Sequence, residues 1–145
     1  MERIIITIPG RPVPQARPRV NVQAVRRGRG LFTFLPAKTR NYQKLVASKC
    51  MKSKNPSSPK TVYVFIWLMA PTKVSVFTLR PDLDNFVKSA FDGLQAGGVI
   101  EDDAYILEMH AFTYYVLNKE QEQMKIMIVS WDGPITREEI KHGMG

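Results

Sequence analysis

Residues 80–103 read R-P-D-L-D-N-F-V-K-S-A-F-D-G-L-Q-A-G-G-V-I-E-D-D, and the rest of the chain is organised around this segment. Asp84, Lys88 and Asp92 are four residues apart and would lie on one face of a helix. The glycines at 97–98 end the pattern, because glycine readily takes the left-handed conformation of a helix stop. The other face is a predicted buried stripe of apolar side chains at helical spacing: Leu83, Phe86, Val87, Ala90, Phe91 and Leu94.

The size and composition of the chain favour one small domain. A length of 145 residues is enough for a single core, and 44% hydrophobic with 23% charged residues is ordinary for a globular protein. No apolar run reaches the length that spans a membrane, so no membrane partner is expected. Cys50 is the single cysteine, which excludes an internal disulfide and favours a reducing cytoplasm.

The net charge of +8 is unevenly distributed along the sequence. Residues 3–81 contain 16 Lys and Arg and no Asp or Glu, whereas residues 82–145 contain 5 basic and 12 acidic residues. A basic half joined to an acidic half indicates a polyanion-binding surface beside a site that concentrates negative charge. Solubility alone is the simpler alternative. The candidate contacts to a nucleic-acid backbone are Arg11, Arg17, Arg19, Arg26, Arg27, Arg29, Arg40 and Lys44.

The order of predicted elements indicates an α+β (mixed α/β) fold with four or five strands and two main helices. Strands are predicted at residues 4–8, 31–35, 61–70, 104–116 and 124–131, and the strand at 61–70 is apolar on both faces, as if covered on both sides. Thr39 is a predicted cap for a helix over residues 40–52. Residues 10–30 are predicted to be a basic loop or loosely paired ribbon, and residues 132–145 a turn of helix or a mobile tail.

The carboxylates of the acidic half have two interpretations. Asp82 could cap the second helix, and Asp84 could be a first-turn anion suited to the helix dipole. Asp84, Lys88 and Asp92 could form exposed ion pairs, and the pair at 102–103 could be turn residues. Alternatively, carboxylates gathered without a neutralising partner repel one another unless a cation is present. Oxygen ligands without paired His or Cys indicate Mg²⁺, with Mn²⁺ as a substitute. Such a site beside a basic half favours phosphodiester chemistry, in which Lys88 would stabilise developing charge or orient the attacking water.

The motif P-D-L-D-N-F-V-K-S-A-F-D-G-L, followed by G-V-I-E-D-D-A-Y-I, closely resembles that of RusA-type Holliday-junction resolvases. The segments I-P-G-R-P-V-P-Q-A-R-P-R-V and F-L-P-A-K-T-R-N-Y extend the resemblance over most of the chain. It implies a homodimeric, metal-dependent endonuclease, often of prophage origin, that cuts four-way DNA junctions by paired incisions in recombination and repair.

The resemblance also implies the roles of particular residues. The catalytic set falls on Asp82, Asp84, Asp103 and Lys88, the three aspartates being metal ligands. Asp102 is a further candidate ligand, although adjacent side chains of an extended chain point opposite ways, so only one of the pair can face the metal. Asn85 is expected to order the site. No small-molecule cofactor is expected. Two alternatives stay open: a non-catalytic DNA-binding protein and another metal-dependent phosphotransfer enzyme.

Overall fold

The computed structural model of the chain describes residues 3–15, 19–20, 33–34, 36–69 and 83–133. The two helices are α1 (Ala37–Lys49) and α2 (Leu83–Ala96), and short 3-10 turns lie at Asp103–Tyr105 and Lys119–Gln121. The strands are β1 (Arg3–Pro9), β2 (Arg19–Val20), β3 (Thr33–Phe34), β4 (Lys60–Met69), β5 (Ile106–Val116) and β6 (Gln123–Ser130). None of the described helices is long and apolar enough to cross a membrane.

Four strands form a mixed sheet in the order β1-β6-β4-β5. Strand β6 pairs antiparallel with both β1 and β4, whereas β5 pairs with β4 in parallel and occupies the edge. Strands β1 and β4 therefore run in the same direction and end on the same side. This sheet and its two helices confirm the predicted α+β fold. The short strands β2 and β3 pair antiparallel, whereas most of the predicted basic loop or ribbon at residues 10–30 lies outside the described residues.

The helices cover one face of the sheet and enclose the core. Alternate strand residues, such as Ile8, Ile66 and Ile126, are fully buried there, as period-two side-chain alternation requires. Helix α2 contributes most of its predicted stripe to this core, including Phe86 and Leu94. Leu83 departs from the prediction, because it lies in the first turn and is 37% exposed.

Helices α1 and α2 pack so closely that the position of α2 facing Val46 of α1 has no room for a side chain. A Cβ on Gly93 would lie 2.4 Å from Val46 Cγ1. Helix α2 ends at the predicted place, and Gly98 takes a φ of +78°. Helix α1 begins earlier than predicted, with Pro36 at its N-cap, so Thr39 lies buried in the first turn and is not the cap.

The predicted cover of β4 on both sides is confirmed on the face that carries the helices, and the second face is different. In the described part of the chain, no helix covers this face, and we call it the open face. Its aromatic rings stack in three cross-strand pairs, which we call the aromatic ladder: Tyr63–His110, Phe65–Phe112 and Trp67–Tyr114, with ring centroids 4.8, 5.4 and 5.4 Å apart. Phe112 and Tyr114 are 41% and 43% exposed. The aromatic residues of β4 make the strand apolar on both faces, although no described helix encloses their rings.

Some predicted features lie outside the described residues. These include Asp82, Arg17, Arg26, Arg27 and Arg29, and the tail beyond Gly133. Arg19 is described only in its backbone, as part of β2. The predicted final strand ends at Ser130, and the long predicted strand at 104–116 begins at Ile106, because a 3-10 turn precedes it.

Candidate active site

One end of the sheet carries the segments that lead to the basic loop and to α2, whereas the acidic pair at 102–103 precedes β5 on the side where β4 begins. Strand β1 ends there at Pro9 and leads into the basic loop, strand β4 ends at Met69, and helix α2 begins nearby at Leu83. We call this side the loop end. Gln15 donates its main-chain N–H to the carbonyl of Asn85 at 3.0 Å, so the start of the basic loop is fixed to the first turn of α2.

Glu122 joins two of these segments through one carboxylate oxygen. Its Oε2 accepts a hydrogen bond from Arg11 Nη1 at 2.7 Å and another from the main-chain N–H of Met69 at 3.0 Å. The Glu122 side chain is nearly inaccessible, whereas that of Arg11 is 54% exposed. Arg11 is therefore fixed in position by an ion pair and still presents part of its side chain to solvent.

Helix α2 exposes Asp84 and Lys88 on the face opposite its buried stripe. Asp84 lies in the first turn, where the positive end of the helix dipole favours a carboxylate. No ion pair joins Asp84 to Lys88, although both side chains are described. The ladder of ion pairs that could have explained this spacing is therefore not formed.

Asp92 lies two turns beyond Asp84, about 12 Å along an ideal helix axis. It accepts a hydrogen bond from Gln43 Nε2 of α1 at 3.2 Å, so the neighbouring helix orients its carboxylate. Partial burial raises the pKa of Asp92, and the negative charge of Asp103 raises it further, whereas the positive charge of Lys88 lowers it. These effects place Lys88 and Asp103 each within electrostatic reach of Asp92.

Asp102 and Asp103 form a hydrogen-bonded pair at the 3-10 turn before β5. Asp102 caps this turn by accepting from the main-chain N–H of Ala104 at 2.8 Å, and that bond, with the hydrogen bond to Asp103, lowers its pKa. The hydrogen bond to Asp102 raises the pKa of Asp103, since a proton shared by two carboxyl groups is held more tightly. Glu101, just before the pair, has its own partner in the Ser57 hydroxyl.

The donor atoms fit a hard divalent cation, because the candidate ligands offer only carboxylate oxygens. Asp84 and Asp103 are both exposed, whereas Asp102 already accepts a main-chain hydrogen bond. Within the described residues, no group of three or more acidic, His or Cys side chains is placed to hold a metal ion. Asp82, the remaining predicted ligand, lies outside those residues. The four-aspartate site therefore stays a prediction.

The described cations cover the helix layer. Arg40 and Lys44, two of the predicted DNA contacts, are exposed on α1, which carries no acidic residue. Lys38 and Lys49 of the same helix are exposed as well, although they were not among the predicted contacts. Helix α1 thus presents a basic surface on the side of the sheet that also carries α2.

Two residues that orient side chains near the site, Glu122 and Gln43, were not predicted from the sequence. Glu122 occurs in a polar turn, N-K-E-Q-E-Q, where a glutamate is normally solvated. Gln43 is one polar residue within a basic helix. No local pattern distinguishes either residue, because the partner of each is far away in sequence: Arg11 is 111 residues from Glu122, and Asp92 is 49 from Gln43.

Comparison with known proteins agrees with this arrangement. The uncharacterized protein YqaN of Bacillus subtilis (strain 168) is 28% identical over 145 residues, covering 88% of this chain and 96% of that protein. The family described as endodeoxyribonuclease RusA matches residues 9–129, which include the basic loop, both helices and the acidic pair at 102–103. The chain therefore belongs to the RusA family of endodeoxyribonucleases.

Proposed function

We propose that the protein is a Mg²⁺-dependent endonuclease that resolves four-way DNA junctions by paired, symmetric phosphodiester hydrolysis in recombination and repair. It would act as a homodimer, because symmetric cutting of two strands calls for two sites related by a two-fold axis. Its proposed location is the cytoplasm. Membership of the RusA family supports the nuclease assignment.

The observation that carries this proposal is the exposed polar face of α2. This helix buries Phe86 and Leu94 and leaves Asp84 and Lys88 in solvent, with no ion pair between them. Among the described residues neither charge has an ion-pair partner, and a purely structural helix would gain little from such positions. A carboxylate and a lysine exposed one turn apart suit a surface on which a cation and a phosphate would be bound together.

Each residue of the proposed site has a separate role. Asp82, Asp84 and Asp103, with Asp102 as the further candidate, would hold Mg²⁺ or Mn²⁺. When bound, such a cation polarises a phosphate oxygen and lowers the pKa of a coordinated water. Lys88 would stabilise the negative charge that develops on the scissile phosphate. Asn85 would order this first turn, because its carbonyl accepts from Gln15.

DNA binding is assigned to the basic side of the molecule. Arg40 and Lys44 would contact phosphates from α1, and Arg11, held by Glu122, would contact them at the loop end. The other predicted contacts are Arg17, Arg19, Arg26, Arg27 and Arg29 of the basic loop. Phosphate contacts of this kind position a protein on DNA without reading its sequence, which suits recognition of a branched structure.

The test is cleavage of a labelled synthetic four-way junction beside a linear duplex of the same sequence, with Mg²⁺ or with EDTA. We expect paired symmetric nicks in the junction with Mg²⁺ and none with EDTA. Equal cutting of the duplex would contradict junction selectivity. Junction binding without cutting under Mg²⁺ or Mn²⁺ would favour a non-catalytic DNA-binding protein. Competition by free nucleotides would indicate a different phosphotransfer enzyme.

The Asp84→Asn variant separates catalysis from binding. We expect it to lose at least about 100-fold in cleavage rate, because it removes one anionic ligand, and to bind the junction as well as or better than the unmodified protein. Glu120→Gln is the matched control, since Glu120 is exposed on the Lys119–Gln121 turn. Cleavage by Asp84→Asn at the unmodified rate would show that Asp84 is not part of the catalytic site.

A further inference from the structure

Strand β1 forms an edge of the sheet. It pairs with β6 on one side, and among the described residues no strand lies on its other side. Gly10 continues this pairing by donating its main-chain N–H to the carbonyl of Glu122 at 3.1 Å. Because hydrogen-bonded residues alternate along an antiparallel pair, the even-numbered residues of β1 bond to β6. The main-chain groups that point outward are therefore those of Arg3, Ile5 and Thr7.

A groove runs beside this edge, between β1 and the segment that follows α1. It contains a cavity of about 300 Å³, whose apolar lining is Ile4, Ile5, Ile6 and Met51. Successive strand residues point to opposite faces, so a cavity that three of them line must reach the main chain of β1. The segment after α1 is held in place, because Ser53 donates its main-chain N–H to the carbonyl of Gly98 at 3.3 Å.

The charged side chains around the groove are all cations: Arg3, Lys49, Lys52 and Lys54. Lys49 lies in the last turn of α1, where the helix dipole by itself favours a cation. Arg3 and Lys52 lie on other segments, so the dipole does not account for them. Within the described part of the chain, no ion pair neutralises Arg3, Lys49 or Lys52. The groove therefore combines a positive potential with an apolar lining.

These features together favour a peptide over two simpler explanations. Cations and prolines protect edge strands from pairing with other chains, and Arg3 and Pro9 suit that role. Protection needs no cavity, however, and gains nothing from Met51, which is 77% exposed beside it. A DNA backbone would use the cations, but it has no N–H groups for the outward carbonyls of β1 and no apolar side chain for the cavity. An extended peptide uses the edge, the cavity and the cations.

We propose that the β1 edge binds an extended acidic peptide of a partner protein as an added strand. The peptide's main chain pairs with the outward groups of β1, which takes about five residues at about 3.3 Å each. One apolar side chain of the peptide enters the cavity beside Met51, and the carboxylates that flank it lie against Lys49 and Lys52. A second copy of β1 does not fit this groove, because it would bring another Arg3 to cations of the same sign.

The groove lies away from the proposed catalytic residues. Strands β1 and β5 are opposite edges of the four-stranded sheet, about 14 Å apart at the usual strand spacing, and Asp103 precedes β5. Helix α2 begins at the loop end, whereas the groove lies beside the first residues of β1, at the other end. A bound peptide would thus join the protein to its partner and leave Asp84 and Lys88 accessible. This inference goes beyond the proposed function and does not depend on it.

Selection of random twelve-residue peptides displayed on phage, with the full chain as bait, tests the inference without DNA or Mg²⁺. We expect enrichment of sequences in which at least two Asp or Glu flank an apolar residue. Fluorescence anisotropy of the most enriched peptide, labelled with fluorescein, gives its dissociation constant. Lys49→Glu and Lys52→Glu are each expected to raise this constant at least about tenfold, because each places like charges together. Lys38→Glu and Lys119→Glu, at exposed positions away from the groove, should leave it within about threefold.

The Ile5→Pro variant tests main-chain pairing, because proline removes an outward N–H that β6 does not use. We expect this variant to weaken peptide binding at least about tenfold. Ile5→Ala is the matched control, since it loses the same side chain but keeps the N–H, and it should bind within about threefold of the original chain. Circular dichroism checks that every variant folds. If Ile5→Pro does not fold, Thr7→Pro beside Thr7→Ala gives the same comparison.

Several results would overturn the inference. Enriched peptides without acidic residues, or peptide binding unchanged in the lysine variants, would refute the charged groove. Equal binding by Ile5→Pro and Ile5→Ala would refute strand addition. Displacement of the peptide by an equal concentration of linear duplex DNA would assign the groove to a phosphate backbone, and displacement by a peptide of residues 134–145 would assign it to this chain's own C-terminal segment. A chain that binds the acidic peptide as expected but cleaves no junction would refute the proposed function and leave this inference standing.

Discussion

Arg11 and Glu122 form an ion pair of 2.7 Å between the end of β1 and the turn before β6. The same carboxylate accepts from the main-chain N–H of Met69, the last residue of β4. One buried side chain thus joins the ends of β1 and β4, the two strands that flank β6, at the loop end. The basic loop follows one of these strands, and the connection to α2 follows the other.

The Glu122→Ala variant is expected to lose about 2–4 kcal/mol of unfolding free energy, because it leaves a buried N–H and a guanidinium without their acceptor. Urea unfolding followed by circular dichroism measures this loss. The matched control is Glu120→Ala, an exposed glutamate of the preceding turn, for which a change within about 0.5 kcal/mol is expected. Equal effects of the two variants would show that the Glu122 contacts contribute nothing to stability.

The Gly93→Ala variant is expected to destabilise the protein by about 1–3 kcal/mol, although alanine is the better helix former. The added Cβ would lie 2.4 Å from Val46 Cγ1 and 2.5 Å from Val46 Cβ, so α1 and α2 must separate. Thermal unfolding measures the change. Gln95→Ala, at an exposed position of the same helix, should be neutral or slightly stabilising. A stabilised Gly93→Ala protein would mean that the helices move apart at little cost.

The Lys88→Gln variant is expected to reduce the junction cleavage rate at saturating protein by about 100-fold or more, because it removes a cation from the site of developing charge. Its stability should change by less than about 0.5 kcal/mol, since Lys88 is exposed. Single-turnover kinetics separate this rate from binding. Lys119→Gln, an exposed control in the turn before β6, should cleave normally. A Lys88→Gln protein that binds more weakly but cuts at the normal rate would assign Lys88 to binding.

Cys50 is expected to react slowly with thiol reagents at pH 8. Burial raises its pKa to about 11, and its Sγ donates a hydrogen bond to the carbonyl of Val46 at 3.2 Å, so little thiolate is present. Because the pKa of Cys50 is higher in the folded state, its contribution to the unfolding free energy is complete below about pH 9. That contribution is lost as the pH rises towards 11. Iodoacetamide labelling, with and without urea, measures the reactivity.

The Cys50→Ala variant isolates the contribution of this thiol to the pH dependence. Unfolding free energies of both proteins between pH 8 and pH 11 should converge or cross as the pH rises, since only the original chain loses the Cys50 contribution. Burial also raises the pKa of Tyr42. Because Tyr42 is present in both proteins, its contribution to the pH dependence cancels in the comparison. Parallel pH profiles, or rapid labelling of the folded protein at pH 8, would contradict the protection of Cys50.

Helix α2 could be predicted closely because its signals are local. Apolar side chains at helical spacing define which face is buried, and a glycine pair ends the helix wherever it packs. The exposed positions of Asp84 and Lys88 follow from the same periodicity. Helix α1 was placed less accurately, because the threonine chosen as its cap is buried within the first turn, and Pro36 precedes the helix instead.

What lies on the second face of β4 could not be predicted, for a different physical reason. An apolar strand has the same sequence whether a helix covers its second face or a row of stacked rings leaves that face accessible. The rings that accompany Tyr63, Phe65 and Trp67 come from β5, more than 40 residues later, and no pattern within β4 specifies them. Prediction of the candidate site was limited for the same reason. The hydrogen bond from Gln43 to Asp92 joins two helices, and no local pattern in either helix specifies it.

The sequence by itself determined the α+β class, the course of α2, the uneven charge and the motif of the RusA family. These properties depend on the order of neighbouring residues, which the chain carries into any fold. Only the tertiary structure decided the strand order β1-β6-β4-β5, the burial of Glu122 and the position of β1 at an edge of the sheet. These depend on pairing between distant segments, and strand register and packing in three dimensions select one such pairing among many that the same local patterns allow.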